Sequence, residues 1–196
     1  MPKKSNLKLM VASTVYHFED QIDRICAVLA GYGYTVWNSH QGTIPTDPRL
    51  SNLDNCVAAA RSCDLFLGVI RPFYGSGVVG ATSITHEEFR AALGAGKPHW
   101  FLVHRNVTLA RQLLKPYMFN KDGSPTGFQF KKTAVLDDVR VLDIYNDAIG
   151  AGTPVGERTG NWVHEFWQEK EILQFLEAQF QDINRIRAIC ARRGKS

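Results

Sequence analysis

The sequence lacks any uninterrupted apolar run approaching the roughly 18 residues that would cross a bilayer. Its opening, Met1-Pro-Lys-Lys-Ser-Asn6, is basic, but polar and charged residues soon break the apolar run beyond it, so no signal peptide is expected. The four cysteines, Cys26, Cys56, Cys63 and Cys190, show no C-x-x-C spacing. This argues against a zinc ribbon or a disulfide frame and predicts reduced thiols in a cytoplasmic protein. There is no H-x-x-x-H pair and no Cys/His pairing, so neither a metal nor a cofactor is expected. No nucleophile elbow surrounds Ser13, which argues against a Ser-His-Asp hydrolase. No internal repeat or low-complexity segment is present.

Acids are missing from both ends. Residues 1–8 and 183–196 hold eight Lys or Arg and no Asp or Glu, so a chain of net charge +4 has a body of net −4. A nucleic-acid-binding domain needs its basic stripe on a folded face, and an acidic body argues against that partner. The basic ends read as solubilising tails.

What is present is a globular composition: 44% hydrophobic residues in 196, enough for one well-buried core. Leu7–Ala12 reads as a buried strand, and residues 18–30 carry Ile22, Ile25, Cys26 and Leu29 at helical spacing. Tyr34–Trp37 reads as a second strand. Leu50, Leu53, Val57 and Ala60 mark a second helix. Asp64–Ile70 is nearly all apolar, as a parallel strand covered on both faces would be. A helix over 85–95, a stop at Gly96-Lys-Pro98, a strand over His99–His104 and a helix over 106–117 complete the alternation. Residues 135–145 fit either a strand or a helix. A long helix is predicted over 165–191, with Phe166, Leu173, Leu176, Phe180, Ile183 and Ile186 along one side.

This pattern predicts an α/β doubly wound domain, a mostly parallel sheet in TIR-like or flavodoxin-like order with a long C-terminal helix. The expected division is a core over 1–118, a loop-rich extension over 119–160, and the terminal helix with its basic tail over 161–196. In such sheets ligands sit beyond the carboxyl ends of the strands. That rule selects the loops at 13–17, 38–43, 71–85 and 104–106.

The loop after the third strand includes Tyr74-Gly-Ser-Gly-Val-Val-Gly80, which contains G-x-G-x-x-G. Five residues separate Gly80 from the helical pattern, and the motif comes after the third strand. A dinucleotide cradle needs its glycines in the first strand-to-helix turn itself, so a mobile loop is the better reading. The next segment, Thr85-His-Glu-Glu88, supports two readings. Thr85 could be an N-cap with Glu88 reaching back in a capping box, Glu87 and Glu88 complementing the helix dipole. Alternatively, Glu88 faces the ligand crevice. There a carboxylate could hold ribose hydroxyls and stabilise the positive charge that develops at C1′ when an N-glycosidic bond breaks.

Three runs carry a resemblance: Val11-Ala-Ser-Thr14, Cys63–Ser76 and Ser83–Pro98. Together they resemble a bacterial domain family of unknown function, often found in ATPase and defence-associated proteins. Its fold is similar to TIR domains and nucleoside 2-deoxyribosyltransferases. The resemblance spans about residues 7–104. It implies that Glu88 occupies the position of the NAD-cleaving glutamate or transferase nucleophile. It also implies that Ser13, Thr14, Tyr74, Gly75, Ser83 and Thr85 border a nucleotide. The implied activity is N-glycosidic cleavage of NAD or a nucleoside, in a protein that can act as a homo-oligomer. The alternative it leaves open is a nucleotide-sensing or protein-interaction module without turnover.

Overall fold

The computed structural model describes residues 6–75, 77–122 and 124–192. The basic residues Lys3, Lys4, Arg193 and Lys195, and Ser76 within the glycine-rich loop, lie outside the described residues. In chain order the elements are β1 (Lys8–Ser13), α1 (Glu19–Gly31), β2 (Thr35–Trp37), α2 (Asn52–Ser62) and β3 (Leu65–Ile70). Next is a short hairpin, β4 (Val78–Val79) with β5 (Thr82–Ser83), leading directly into α3 (Ile84–Gly94). Then come β6 (His99–His104), α4 (Arg105–Met118), α5 (Val141–Ala148), β7 (Val163–Phe166), α6 (Glu169–Phe180) and α7 (Ile183–Arg192).

The main sheet has the order β2-β1-β3-β6-β7, and every pairing is parallel. The direction of winding reverses between β1 and β3. The crevice beyond their carboxyl ends is therefore the place this topology reserves for a ligand. Period-two alternation sends Leu9, Val11, Leu65, Leu67 and Val69 to one face, where they pack with Ile22, Ile25 and Leu29 of α1 and Leu176 and Phe180 of α6. Met10, Ala12, Phe66 and Ile70 go to the other face, with Ala59 and Ala60 of α2, Phe89 of α3 and Leu142 of α5. Burial on both faces explains why β3 reads as a continuous apolar run.

One register row fixes the height of α3. Ala12 pairs with Gly68, and Gly68 with Phe101. A Cβ on Gly68 would lie 2.5 Å from the Phe89 ring and 2.8 Å from that of Phe101. The missing side chain lets Phe89 press onto the strand, where its burial stabilises the fold by about 1.5–3 kcal/mol. Glu88 is the residue before this anchor, so the packing that holds Phe89 also sets the position of the carboxylate.

The C-terminal region differs from the single helix predicted over 165–191. Glu165 and Phe166 belong to β7, the edge strand beside β6. The Glu171 carboxylate accepts hydrogen bonds from the Trp167 and Gln168 amides, which fixes the start of α6. The stripe then breaks at Gln181–Asp182, where the Asp182 carboxylate accepts from the Asn184 and Arg185 amides and opens α7. Side-chain caps override a continuous apolar stripe here, though Leu176, Phe180, Ile183 and Ile186 still pack against one core.

The segment over 119–160 contains α5 and a 3-10 turn at Val155–Glu157. It is tied to the loop after β3. The Asp137 amide donates to Pro72 O, the Tyr74 amide donates to the Asp137 carboxylate, and Arg140 donates to Ala81 O. Among the described residues no helix is long and apolar enough to cross a membrane. Nor, among those residues, do three or more His, Cys, Asp or Glu side chains come together to hold a metal.

Candidate functional site

A cavity of about 490 Å³ opens at the reversal point. Ser13 and Thr14 reach it from the end of β1, Ser39 and Ile44 from the loop after β2, Gly75 and Gly77 from the loop after β3, Asn55 and Cys56 from α2, and Thr85 and Glu88 from α3. Its size is in the range of small-molecule sites.

The wall between β1 and β3 is built by close approach. The Thr14 hydroxyl donates to Phe73 O at 2.7 Å. Gly75 has φ +93°, and a Cβ there would lie 2.9 Å from Thr14 Cγ2. Glycine is required on both counts. Behind this wall the buried Arg71 guanidinium donates to Thr14 O at 3.2 Å, Tyr16 O at 2.7 Å and His17 O at 3.4 Å. It also stacks over Phe18 and Phe73. Burial lowers its pKa to about 10, well above neutrality, so it remains a cation that fastens the first loop. Asn38 is also structural: its carboxamide donates to Val11 O and accepts from the Gln41 amide.

The start of α3 tests the capping reading of Glu88. The N-cap is Ser83, whose hydroxyl accepts from the His86 amide at 3.2 Å. Thr85 is thus already helical and Glu88 lies in the second turn, too far along to close a capping box. The capping reading is overturned. Ile84, Thr85 and Glu88 share the face that lines the cavity. Glu87 points elsewhere: Thr82 donates to its carboxylate at 2.6 Å and Arg90 lies 3.6 Å away.

Glu88 is only 2% exposed. Burial raises its pKa to about 7, opposed in part by a hydrogen bond from the Cys56 thiol. Burial also pushes Cys56 up, to about 12, helped by the neighbouring carboxylate. It therefore stays a protonated donor, not a nucleophile. A carboxyl pKa raised toward neutrality suits a residue that both gives and takes a proton.

Ser13, Thr14, Gly75 and Thr85 thus line the same cavity as Glu88, whereas Tyr74 and Ser83 do not. Tyr74 is 1% exposed. Its hydroxyl accepts from the Ser83 amide at 3.1 Å and lies 3.0 Å from His86 Nδ1, and His86 Nε2 lies 3.0 Å from the Asp147 carboxylate. The arrangement is satisfied throughout when Tyr74 donates to Nδ1 and Nε2–H donates to Asp147. Tyr74 and Ser83 are buttresses that join the hairpin to α3 and α5. A buried phenol and an N-cap hydroxyl each need a partner of their own, and these contacts supply it.

Sequence reasoning misses Asn55 and Cys56, since the apolar spacing of α2 signals only packing. Asn55 donates to Asp47 O and Ser51 O and accepts from the Asp47 amide, which folds the loop entering α2 against the cavity.

With this geometry fixed, the family is decided by a match of residues 8–157 to the family model of a domain of unknown function, DUF4062. The chain belongs to the DUF4062 family. The DUF4062 match takes in β1 through the 3-10 turn, so it includes every lining residue named above and the Asp137, Arg140 and Asp147 contacts behind them. No curated protein matches this DUF4062 chain. Among solved structures, the Clostridium botulinum CMP N-glycosidase BcmB is similar with 17% sequence identity and a TM-score of 0.44, over 87% of this chain and 98% of that one.

Proposed function

We propose that this protein cleaves an N-glycosidic bond, in NAD or a nucleoside, with Glu88 as the acting carboxylate. One observation carries the reading. A buried carboxylate, not engaged in its helix cap, faces a cavity of about 490 Å³ where the sheet's winding reverses. The sugar sits with C1′ against Glu88, and its hydroxyls bond to the hydroxyls and carboxamides around it. As the C1′–N bond breaks, the bonding pair leaves with the base and positive charge develops on the ring. The carboxylate meets that charge by electrostatic contact or by bonding to C1′. Water then supplies the hydroxyl to C1′, and its remaining proton passes to Glu88 or to the departing base. A pKa near neutrality suits both the anionic and the proton-carrying stage.

The experiment is to incubate pure protein with NAD and with nucleosides and to quantify the free base by chromatography. Release that disappears in Glu88→Gln, with the fold intact by circular dichroism, supports the proposal. Saturable binding without release, at high protein concentration, would instead identify a nucleotide-sensing module.

A further inference from the structure

The charges around the cavity discriminate among its substrates. Among the described lining residues Glu88 is the one charged side chain; the others are apolar, hydroxyl, carboxamide or thiol groups. The nearby cation, Arg71, is already committed to three backbone carbonyls on the far side of the wall. Helix N-termini are the usual alternative seat for a phosphate, because their unpaired amides and dipole attract anions. The three helices that come after β1, β2 and β3 already supply their own acids there. Glu19 and Asp20 occupy the first turn of α1, Asp54 that of α2 and Glu87 that of α3. Glu19 accepts from the Phe18 amide. Ser51 caps the Asp54 amide while its own hydroxyl donates to the Asp54 carboxylate. A phosphate entering this crevice would shed water beside Glu88 with no counter-cation among the described lining residues.

We infer that the cavity takes nucleosides whose sugar carries no phosphate, which narrows the proposed substrates from NAD or a nucleoside to the nucleoside, and that it discriminates against their 5′-monophosphates. The inference rests on the glycosidase reading for its chemistry, but the binding preference can be measured separately. Ring hydroxyls find Ser13, Ser39, Thr46, Asn52 and Thr85 around them. A phosphate dianion finds a carboxylate and no cation among the described lining residues.

The test uses two pairs: nicotinamide riboside with nicotinamide mononucleotide, and cytidine with cytidine 5′-monophosphate. Calorimetry on the native protein, which keeps the Glu88 charge, reads binding from the fast heat of each injection, and base release by the same protein reads chemistry. The nucleoside of at least one pair should bind at least about tenfold more tightly than its monophosphate, and the gap should narrow as salt rises, since the repulsion is screened. Native turnover should follow the same order. Equal or tighter binding of the monophosphates, or a gap that ignores salt, overturns the inference. Nucleoside-selective, salt-sensitive binding without base release by the native protein would leave this inference standing while removing the glycosidase reading.

Discussion

The Cys56 thiol of α2 lies beside the Glu88 carboxylate of α3, and both line the cavity. Burial raises the pKa of Glu88, and this donor, which favours the charged form, partly offsets that. Replacing Cys56 by Ala removes this neighbour and should raise the Glu88 pKa further. Cys56→Ser keeps a donor and should return the value toward about 7 or below it. Carboxyl-resolved NMR titration, or the pH profile of turnover, reads the shift. Identical Glu88 titration in the native and Cys56→Ala proteins would contradict the assignment.

Glu88 also predicts how stability varies with pH. Its folded pKa of about 7 lies above the ordinary 4.5, so the folded state holds the proton more tightly than the unfolded chain. The contribution is fully present below 4.5 and is lost as pH rises through about 7, an effect on the order of 3 kcal/mol for that separation. Glu88→Gln mimics the protonated form at every pH. Its melting temperature should therefore match the native protein at pH 5 and exceed it at pH 8. Parallel melting curves at both pH values would show that the carboxylate does not experience the burial described.

Gly75 and Thr14 approach each other closely in the cavity wall. Gly75→Ala places a Cβ 2.9 Å from Thr14 Cγ2 on a backbone of φ +93°, and should cost about 1–3 kcal/mol in urea denaturation. Adding Thr14→Ser removes the clashing methyl but keeps the hydroxyl that donates to Phe73 O. The double variant should recover part of the loss, leaving the dihedral strain. Additive losses would mean that the two residues are not coupled.

Tyr74→Phe removes the acceptor of the Ser83 amide and the partner of His86 Nδ1, both buried. Leaving these groups unpaired should cost about 1–3 kcal/mol. The Ser83 amide should lose protection in hydrogen exchange, because the hairpin before α3 depends on that bond. Unchanged protection would argue against the buttress role.

Much of the fold is legible from period alone. Leu65–Ile70 is apolar without a break, and Ile22, Ile25, Cys26 and Leu29 mark one helical face, so β3 and α1 can be placed from the sequence. β7 is hidden because Val163-His-Glu-Phe166 is short and joins the apolar stripe of α6; only its place at the edge beside β6 makes it a strand. The cap of α3 lies two residues earlier than the sequence suggests. Thr85 with Glu88 fits a capping box better on paper than Ser83 with His86 does. The choice falls to Tyr74, which receives the Ser83 amide from another part of the chain. Glu88, Ser13, Thr14, Gly75 and Thr85 can be named from the strand-end rule and the family resemblance. Cys56 cannot, because its place beside Glu88 arises from how α2 packs on α3, a contact with no local signature.

The central claim is tested most directly by base release from a panel of nucleosides and NAD, comparing the native protein with Glu88→Gln at equal concentration and verified folding. The account predicts measurable release by the native protein and a loss of at least about 100-fold in the variant. Release by Glu88→Gln at the native rate would contradict it.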